Sequence, residues 1–502
     1  MHARDADIVI IGSGAGGGTV ARELAPLRAE GVRIVVLEEG PKLRDEAFTG
    51  REVEMARQLY TDEGGFLTED RAMTIAFGHA YGGSTVVYTG TSLTITAGTL
   101  ARWNVPDVAF EDVRRRSLKY LGENHVHLLD QADLNDNNRL FADACRRLGY
   151  RVEQFPLNLN GCKGSGLCNL GCPNAAKMGT HRVQLPEAER QGVTVVTNCR
   201  VHRLEDRTVV ATVREGGPGE PPAWEPGEYR VRAKVVVSAG GAIGSPALLL
   251  RSGMGDALPA LGRYFTCHPA LILVGQHAQP ITNYYGHPKS FYCDQFAEDD
   301  GFLLETCMYF PFTTAKSLTG FGDDHARMLA AMDHLQMILV LAIDPPEAEN
   351  RVMLGRGGET VVRYAFPEGV RRSLVQAMRA SARIFFAAGA ERVHAPAATP
   401  FFIEAADAAR IDELIPFDGL RLGRTTISSA HPMGGCRMGA SVSDSVTDGW
   451  GRVHGQPGLY VADASLFPRC AEINPYVTIM ALADRVAEGV RQDWPALEAR
   501  SS

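Results

Sequence analysis

The 502-residue sequence contains no apolar run of about 18 residues and therefore offers no candidate for a membrane-spanning helix. Its first residues, 1–7, lack the apolar stretch of a signal peptide. Basic residues form no cluster, and the net charge of −8 argues against nucleic acid as a partner. No internal repeat is evident. These absences predict a cytoplasmic protein, and export together with a signal-bearing partner stays an open alternative.

Cysteine is scarce: ten residues in a chain of 502 do not indicate a disulfide scaffold. Seven of the ten are dispersed, and we interpret most of them as small core residues. The other three form Cys162-x5-Cys168-x3-Cys172, a segment rich in glycine. Such a backbone can fold three thiolates around a common centre.

The first forty residues predict a nucleotide-binding unit. An apolar strand at residues 8–11 is followed by a glycine turn, a helix, a second strand at residues 34–37 and then Glu38. The turn has three glycines at the spacing that lets a backbone approach a pyrophosphate at a helix N-terminus: Gly12, Gly14 and Gly17. Glu38 stands where an acid binds the ribose hydroxyls of an adenosine, which disfavours NADP.

Two further segments predict loops close to such a nucleotide. Gly82-Gly83-Ser84 would let a loop lie flat against a planar ligand. An apolar strand at residues 235–237 leads into a glycine-rich turn that begins at Ala239. Alternating apolar residues over 193–237, broken by a turn-rich stretch, predict a small antiparallel sheet with an exposed hairpin loop.

The chain resembles the glucose-methanol-choline (GMC) flavoprotein oxidoreductases from residue 7 to about residue 490. Five segments carry the resemblance in the family's order: the N-terminal glycine turn with Glu38, Gly82-Gly83-Ser84, the segment 241–255, His431-Pro-x-Gly-Gly-Cys, and Asp463-Ala464-Ser with Asn474-Pro475. The resemblance implies FAD, with its ADP half at the N-terminal turn and its ring system under the C-terminal segments. It also implies that Val201 lies near the adenine and that Asp463, Ala464, Asn474 and Pro475 line the ribityl chain and ring.

The implied fold class is α/β, or α+β overall. Residues 1–157, 178–265 and 422–502 would form a discontinuous Rossmann-like FAD-binding domain, and residues 158–177 a cysteine-rich loop. Residues 266–421, with apolar strands, aromatic residues and a long helical pattern near 368–388, would form a substrate domain of antiparallel sheet backed by helices.

The implied reaction is the oxidation of an alcohol to a carbonyl, in which a base removes the hydroxyl proton while a hydride leaves the carbinol carbon for flavin N5. His431 is the candidate base, and Asn474 is the candidate donor that orients the alcohol. Two alternatives stay open. One is a hydroxynitrile-lyase-like enzyme that keeps FAD as a structural group, and the other is a nicotinamide-binding or non-catalytic electron-transfer subunit.

The sequence departs from the family at two positions in the loop after Ser84. Tyr88 replaces an asparagine that many members carry, and Val87 stands where some members attach FAD through a histidine. We therefore expect non-covalent FAD, with His79 as the nearest histidine in the sequence.

The cysteine segment resembles a loop that holds a 3Fe-4S cluster in certain GMC dehydrogenase subunits. A loop of thiols or a disulfide, and a zinc site with His181 as fourth ligand, are the other interpretations. A cluster would pass electrons to a protein partner or small subunit, whereas its absence favours oxygen as acceptor. The substrate would be a sugar or glycoside, or a bulky apolar alcohol suited to the aromatic residues over 284–312.

Overall fold

A computed structural model describes residues 1–281, 283–318 and 320–499. The predicted FAD-binding and substrate segments include five residues outside this description: 282, 319 and 500–502. The predicted fold class is confirmed, because parallel and antiparallel sheets are combined with twelve α-helices in the described residues.

A parallel five-stranded sheet forms the core of the part of the chain predicted to bind a nucleotide. Its strand order is β23-β13-β2-β3-β9. The strands are β2 (Ile8–Ile11), β3 (Ile34–Leu37), β9 (Thr194–Val196), β13 (Val235–Ser238) and β23 (Leu459–Val461). Four of them, β2, β3, β13 and β23, are buried along their whole length, as expected for strands covered on both faces. Strand β2 lies beside β13, whose other neighbour is β23 from the C-terminal part of the sequence.

The predicted antiparallel sheet over 193–237 is only partly correct. A four-stranded sheet of order β1-β12-β11-β10 contains β1 (His2–Asp5), β10 (Cys199–Glu205), β11 (Thr208–Val213) and β12 (Gly227–Arg232). The two ends of the predicted stretch instead join the parallel sheet as β9 and β13. The reason is burial: β13 is a continuous apolar run buried on both faces, which suits a parallel core.

A large, mostly antiparallel sheet lies beside this core. Eight strands follow one path in the order β4-β5-β22-β14-β17-β16-β15-β7, and β20 and β21 extend it from β14. Their bounds are β4 (Phe66–Leu67), β5 (Met73–Ile75), β7 (Glu153–Gln154), β14 (Ala270–Gln276), β15 (Phe291–Cys293), β16 (Phe302–Thr306), β17 (Leu335–Ala342), β20 (Arg392–His394), β21 (Ile403–Glu404) and β22 (Ile427–Ser429). Two small pairs remain, namely β6 (Val126–His127) with β8 (Leu157–Asn158) and β18 (Arg351–Leu354) with β19 (Thr360–Arg363).

The helices cover both sheets. They are α1 (Ala15–Leu24), α2 (Glu52–Leu59), α3 (Ala97–Trp103), α4 (Phe110–Glu123), α5 (Asp136–Arg147), α6 (Gln184–Arg190), α7 (Gly241–Arg251), α8 (Pro311–Ser317), α9 (Asp323–Ala330), α10 (Glu368–Ala387), α11 (Ile411–Leu414) and α12 (Tyr476–Ala499). Helix α10 is the long helix predicted near 368–388. Over the residues described, none of these helices joins enough length to enough apolar character to span a bilayer.

Strands β4, β5, β7 and β22, which come from segments predicted for the FAD-binding domain, lie in the large sheet. The register pairs Ser428 of β22 with Ala270 of β14. This pairing carries the end of β22 to the boundary between the two sheets. The division into domains stays a prediction.

Candidate active site

The glycine turn packs tightly against two other strand ends. Gly12 has φ +97°, and a Cβ there would lie 2.4 Å from the carbonyl oxygen of Ala239. A Cβ on Gly16 would lie 1.7 Å from the carbonyl oxygen of Ala462. Helix α1 begins with no side-chain cap and no acidic residue in its first turn. Its first N–H groups and its dipole thus suit an anion.

Glu38 is buried and is held by the glycine turn. Its Oε2 accepts hydrogen bonds from the backbone N–H of Ser13 at 2.8 Å and from the Ser13 hydroxyl at 2.6 Å. Its Oε1 accepts one from the N–H of Gly40 at 2.8 Å. A carboxylate has about four acceptor positions, so one remains for a ribose hydroxyl. Burial raises the pKa of Glu38.

The Gly82-Gly83-Ser84 loop lies directly over the glycine turn. The N–H of Gly82 donates to the Ser13 hydroxyl oxygen at 2.9 Å, and a Cβ on Gly83 would lie 2.7 Å from the Cα of Gly14. The Ser84 hydroxyl oxygen accepts from the N–H of Gly78 at 2.8 Å. The backbones of Gly14 and Gly83 are therefore in contact, and a side chain on Gly83 would prevent this contact.

Asp463 joins the C-terminal segment to the turn after β13. Its carboxylate accepts hydrogen bonds from the N–H of Gly241 at 2.8 Å, the hydroxyl of Ser245 at 2.5 Å and the N–H of Ser465 at 2.8 Å. Burial raises the pKa of Asp463. Its carboxylate is thus engaged mainly with protein. Val201 is partly exposed on β10, whose first residue, Cys199, donates its N–H to the carbonyl oxygen of Glu38 at 2.8 Å.

His431 follows β22 and faces Asn474 just before α12. The His431 Nε2 atom lies 3.4 Å from the Asn474 Nδ2 atom. Asn474 is buried, and its Oδ1 atom has no hydrogen-bond partner among the described residues. The N–H of Gly434 donates to the carbonyl oxygen of Ala464 at 2.9 Å. The structure therefore brings together the two side chains predicted for catalysis, with Pro475 directly after Asn474 and Ala464 bonded to the segment of His431.

His268, which was not among the residues predicted from the sequence, contacts the other ring nitrogen of His431. The two Nδ1 atoms lie 3.2 Å apart, and the rings meet edge to face at an angle of 81°. The side chain of His268 is buried, and its backbone adopts a left-handed conformation with φ +51°. The Asp344 carboxylate accepts the N–H groups of His268 and Cys267 at 3.0 and 2.9 Å. Tyr364 donates its hydroxyl to the same carboxylate at 2.9 Å.

The surroundings keep both histidines neutral. Burial, the neighbouring His268 and the Lys289 ammonium hold the pKa of His431 well below its usual range. Burial lowers the pKa of His268 to about 4. Lys289 is itself paired with the buried carboxylate of Glu305. An imidazole that is neutral at physiological pH has one nitrogen free to accept a proton.

Two family models, each described as GMC oxidoreductase, match residues 6–270 and 346–483. This chain belongs to the GMC oxidoreductase family. It is 34% identical over 495 residues to an uncharacterized GMC-type oxidoreductase of Mycobacterium tuberculosis strain H37Rv, covering 96% of this chain and 75% of that protein. It is 26% identical to the long-chain-alcohol oxidase FAO4B of Arabidopsis thaliana (95% of this chain, 66% of that protein). It is 27% identical to the paromamine 6'-oxidase of Streptomyces fradiae (97% and 91%).

Solved structures share the fold of this GMC oxidoreductase. Pyridoxine 4-oxidase from Mesorbium loti superimposes with a TM-score of 0.71 and 19% identity, covering 97% of this chain and 99% of that one. A formate oxidase of Aspergillus oryzae RIB40, described in a study of FAD modification, gives 0.70 and 14% over 98% and 99%.

The cysteine loop of this GMC oxidoreductase carries three free thiols. Cys162 is exposed, and Cys168 and Cys172 are partly exposed. Across the residues that the structure describes, their sulfur atoms do not all approach within 4.8 Å of one another. The Nδ1 atom of His181, the suggested zinc ligand, is buried without a hydrogen-bond partner in the same part of the chain. A cluster, a zinc ion or a disulfide in this loop stays a prediction.

Lys177 attaches the cysteine loop to the loop over the glycine turn. It is buried, and its ammonium donates to the carbonyl oxygens of Val86, at 2.7 Å, and of Cys168. The same ammonium lies 5.5 Å from the ring centre of Tyr88, whose hydroxyl contacts the Asn158 side chain. Burial lowers the pKa of Lys177 to about 8. The cysteine loop is thus fixed to the segment that contains both Val87 and Tyr88.

Proposed function

We propose that this GMC oxidoreductase oxidises an alcohol to a carbonyl with non-covalent FAD, and that His431 removes the hydroxyl proton. The observation that carries the proposal is the pairing of a neutral His431 with Asn474 at 3.4 Å, next to an amide oxygen that has no partner in the described residues. A base and a hydrogen-bond donor side by side suit an alcohol hydroxyl, which is both donor and acceptor.

The N-terminal half of the site fits FAD. The uncapped start of α1 suits the pyrophosphate, and the remaining acceptor position of Glu38 suits a ribose hydroxyl. Because Gly14 and Gly83 are in contact and have no side chains, neither residue blocks the approach of FAD to the glycine turn. Val201, Ala239, Asp463, Ala464 and Pro475 complete the proposed binding residues. Bound FAD would supply the hydride acceptor for the carbinol carbon.

In this proposal, two side chains of the protein accept the hydroxyl proton and position the hydroxyl oxygen. The Nε2 atom of His431 accepts the hydroxyl proton while the amide of Asn474 holds the oxygen in place. Burial keeps His431 neutral, so the base is available without a prior deprotonation. The N-terminus of α12, directly after Asn474 and Pro475, favours negative charge in its neighbourhood.

The electron acceptor depends on the cysteine loop. The word oxidase in the names of the Arabidopsis and Streptomyces relatives supports oxygen as acceptor. A 3Fe-4S cluster on Cys162, Cys168 and Cys172 would instead make the enzyme a dehydrogenase with a separate electron carrier. An iron assay and an EPR spectrum of protein purified without air decide between the two.

The test is anaerobic reduction of the flavin by a panel of alcohols: 1-dodecanol, benzyl alcohol and methyl glucoside. We expect at least one to bleach the flavin absorbance. A lyase would leave the flavin oxidised with every alcohol while releasing cyanide from a cyanohydrin. A flavin that no panel alcohol reduces would contradict the proposal.

His431→Ala should retain FAD and lose flavin reduction by about 10²- to 10⁴-fold, the contribution of general-base catalysis. His277→Ala is the matched control, because His277 is also buried but bonds Gln336 at 2.9 Å. Since the neutral form is the base and its pKa is lowered, the wild-type rate should stay constant on the acid side until well below pH 6.5. A His431→Ala variant reduced at the wild-type rate would refute the assignment.

The non-covalent binding of FAD can be tested separately from the reaction. Acid precipitation should release FAD into the supernatant, because Val87 offers no nucleophile at the attachment position of the family. Flavin that stays with the pellet would contradict this expectation.

A further inference from the structure

We propose that His268 is a positioning residue that accepts a hydrogen bond from Nδ1–H of His431 and thereby keeps Nε2 of His431 free to take the alcohol proton. The inference rests on the proposed role of His431. It names a residue outside the segments that carry the family resemblance.

The contact between the two imidazoles forces a choice of tautomer. A hydrogen bond between two Nδ1 atoms requires one of them to carry the proton and the other to lack it. If His431 carries it, its Nε2 is the free base that faces Asn474. If His268 carries it, Nε2 of His431 is protonated and cannot accept a proton from an alcohol.

Without His268, the neighbouring groups favour the unproductive tautomer. Ser429 does not bond Nδ1 in the described structure: its hydroxyl oxygen accepts the backbone N–H of His431 at 3.2 Å and its hydroxyl donates to the carbonyl oxygen of Cys267. Rotation of the Asn474 amide would turn its Oδ1 atom, which lacks a partner in the described chain, toward Nε2. That oxygen would then accept a hydrogen from Nε2–H and hold the proton on the wrong nitrogen.

The backbone of His268 is held in one conformation. Its backbone is fixed by two hydrogen bonds to the Asp344 carboxylate and by the following Pro269. A φ of +51° is uncommon for a residue with a side chain and is retained only where the surroundings enforce it. The backbone that carries the ring is therefore fixed beside His431, and the ring itself is buried.

The charged and titratable groups around this pair include Lys289, Glu305, Asp344 and Cys470, and an oxygen of the Asp344 carboxylate and the Cys470 sulfur lie within 4.8 Å of a ring nitrogen of His268. Lys289 and His268 act on His431, and both lower its pKa. Glu305 offsets the charge of Lys289 through its ion pair. The Asp344 carboxylate accepts from backbone N–H groups of the His268 segment.

The experiment compares three variants of the FAD-loaded full chain by anaerobic stopped flow, with the panel alcohol that reduces the wild type fastest. His268→Leu should lower the limiting rate of flavin reduction by about 100-fold with little change in the dissociation constant of the alcohol. His268→Asn can place an amide oxygen near the position of Nδ1, so it should recover at least about tenfold of that loss. His277→Leu, the buried control, should react like the wild type.

Deuterium exchange at imidazole C2, followed by mass spectrometry, measures the pKa of His431 independently of turnover. His268→Leu should change it, because this variant removes the imidazole that contacts Nδ1 of His431, and His277→Leu should leave it unchanged. Any of three results would overturn the inference. The Leu and Asn variants could reduce flavin at equal rates, the Leu variant could reduce it at the wild-type rate, or the pKa of His431 could stay unchanged in the Leu variant. If His431→Ala abolishes reduction while His268→Leu does not, only this inference fails. If no alcohol reduces the wild-type flavin, the proposed function fails, and the exchange measurement still tests the contact.

Discussion

At the scale of single residues, carboxylates organise this active site by binding backbone N–H groups. Glu38 fixes the glycine turn, Asp463 fixes the turn after β13, and Asp344 fixes the segment that carries His268. All three are buried. Hydrogen bonds to an ionised acceptor are stronger than neutral ones, which suits loops that must hold one conformation.

Glu38→Gln should weaken FAD retention and lower the melting temperature of the enzyme. A glutamine side chain replaces one acceptor oxygen by an amide donor, which would face the N–H of either Ser13 or Gly40. An unsatisfied buried donor costs about 1–3 kcal/mol. Bound flavin per protein after gel filtration and thermal unfolding are the measurements.

Glu39→Gln is the control for this change. Its side chain is 42% exposed and forms surface ion pairs with Arg200 and Arg214, which contribute little to stability. Equal flavin content and equal melting temperatures in the two variants would contradict the role assigned to Glu38.

At the scale of elements, the cysteine loop and the loop over the glycine turn form one packed unit. Buried apolar residues from both loops and from α2 share a cluster: Phe48, Met55, Leu59, Ala80, Val86, Val87 and Leu170. Lys177 adds the only described ammonium that donates to carbonyl oxygens of both loops. A conformational change at the cysteines would therefore displace Val86 and its neighbours.

Lys177→Met should loosen the cysteine loop. Methionine has a similar length but cannot donate to the carbonyl oxygens of Val86 and Cys168, which would lose a buried partner. We expect alkylation of Cys168 by iodoacetamide to accelerate about tenfold, measured by mass spectrometry. Lys163→Met, an exposed change in the same loop, should leave the rate unaltered. Equal rates in both variants would show that Lys177 does not restrain the loop.

The sequence predicted local features well and long-range partners poorly. The glycine turn, the strand before Glu38 and helix α10 have patterns that span few residues, and the structure contains all of them. His268 could not be found in this way, because it meets a residue 163 positions away and has an ordinary apolar sequence context. Strand β9 was assigned to the wrong sheet, since an alternating pattern does not specify which neighbour a strand will pair with.

At the scale of the whole molecule, the two ends of the chain pack on each other. Helix α1 lies against α12, and Arg116 on α4 pairs with Asp484 on α12. The turn at Gly16 touches the carbonyl oxygen of Ala462, the residue after β23. The nucleotide site and the histidine site are thus joined by direct contact of backbones.

Gly16→Ala should damage the fold and cofactor binding together. The added methyl group would lie 1.7 Å from a backbone oxygen, so one of the two backbones must move. Overpacking of this kind costs about 1–3 kcal/mol or more. Gly122→Ala adds the same methyl group where no atom lies within 4 Å and should be neutral. A Gly16→Ala enzyme that melts and binds flavin like Gly122→Ala would refute this contact.

The position of β2 in the parallel sheet has a consequence for biosynthesis. Strand β2 pairs with β13, which is made more than 200 residues later, and β13 must in turn wait for β23, which is also made more than 200 residues after it. Pairings of such long range form slowly, and their unpaired edges stay exposed meanwhile. The sheet is therefore completed only after β23 has been made, so we expect flavin to bind after that step and not to the first strands as they emerge.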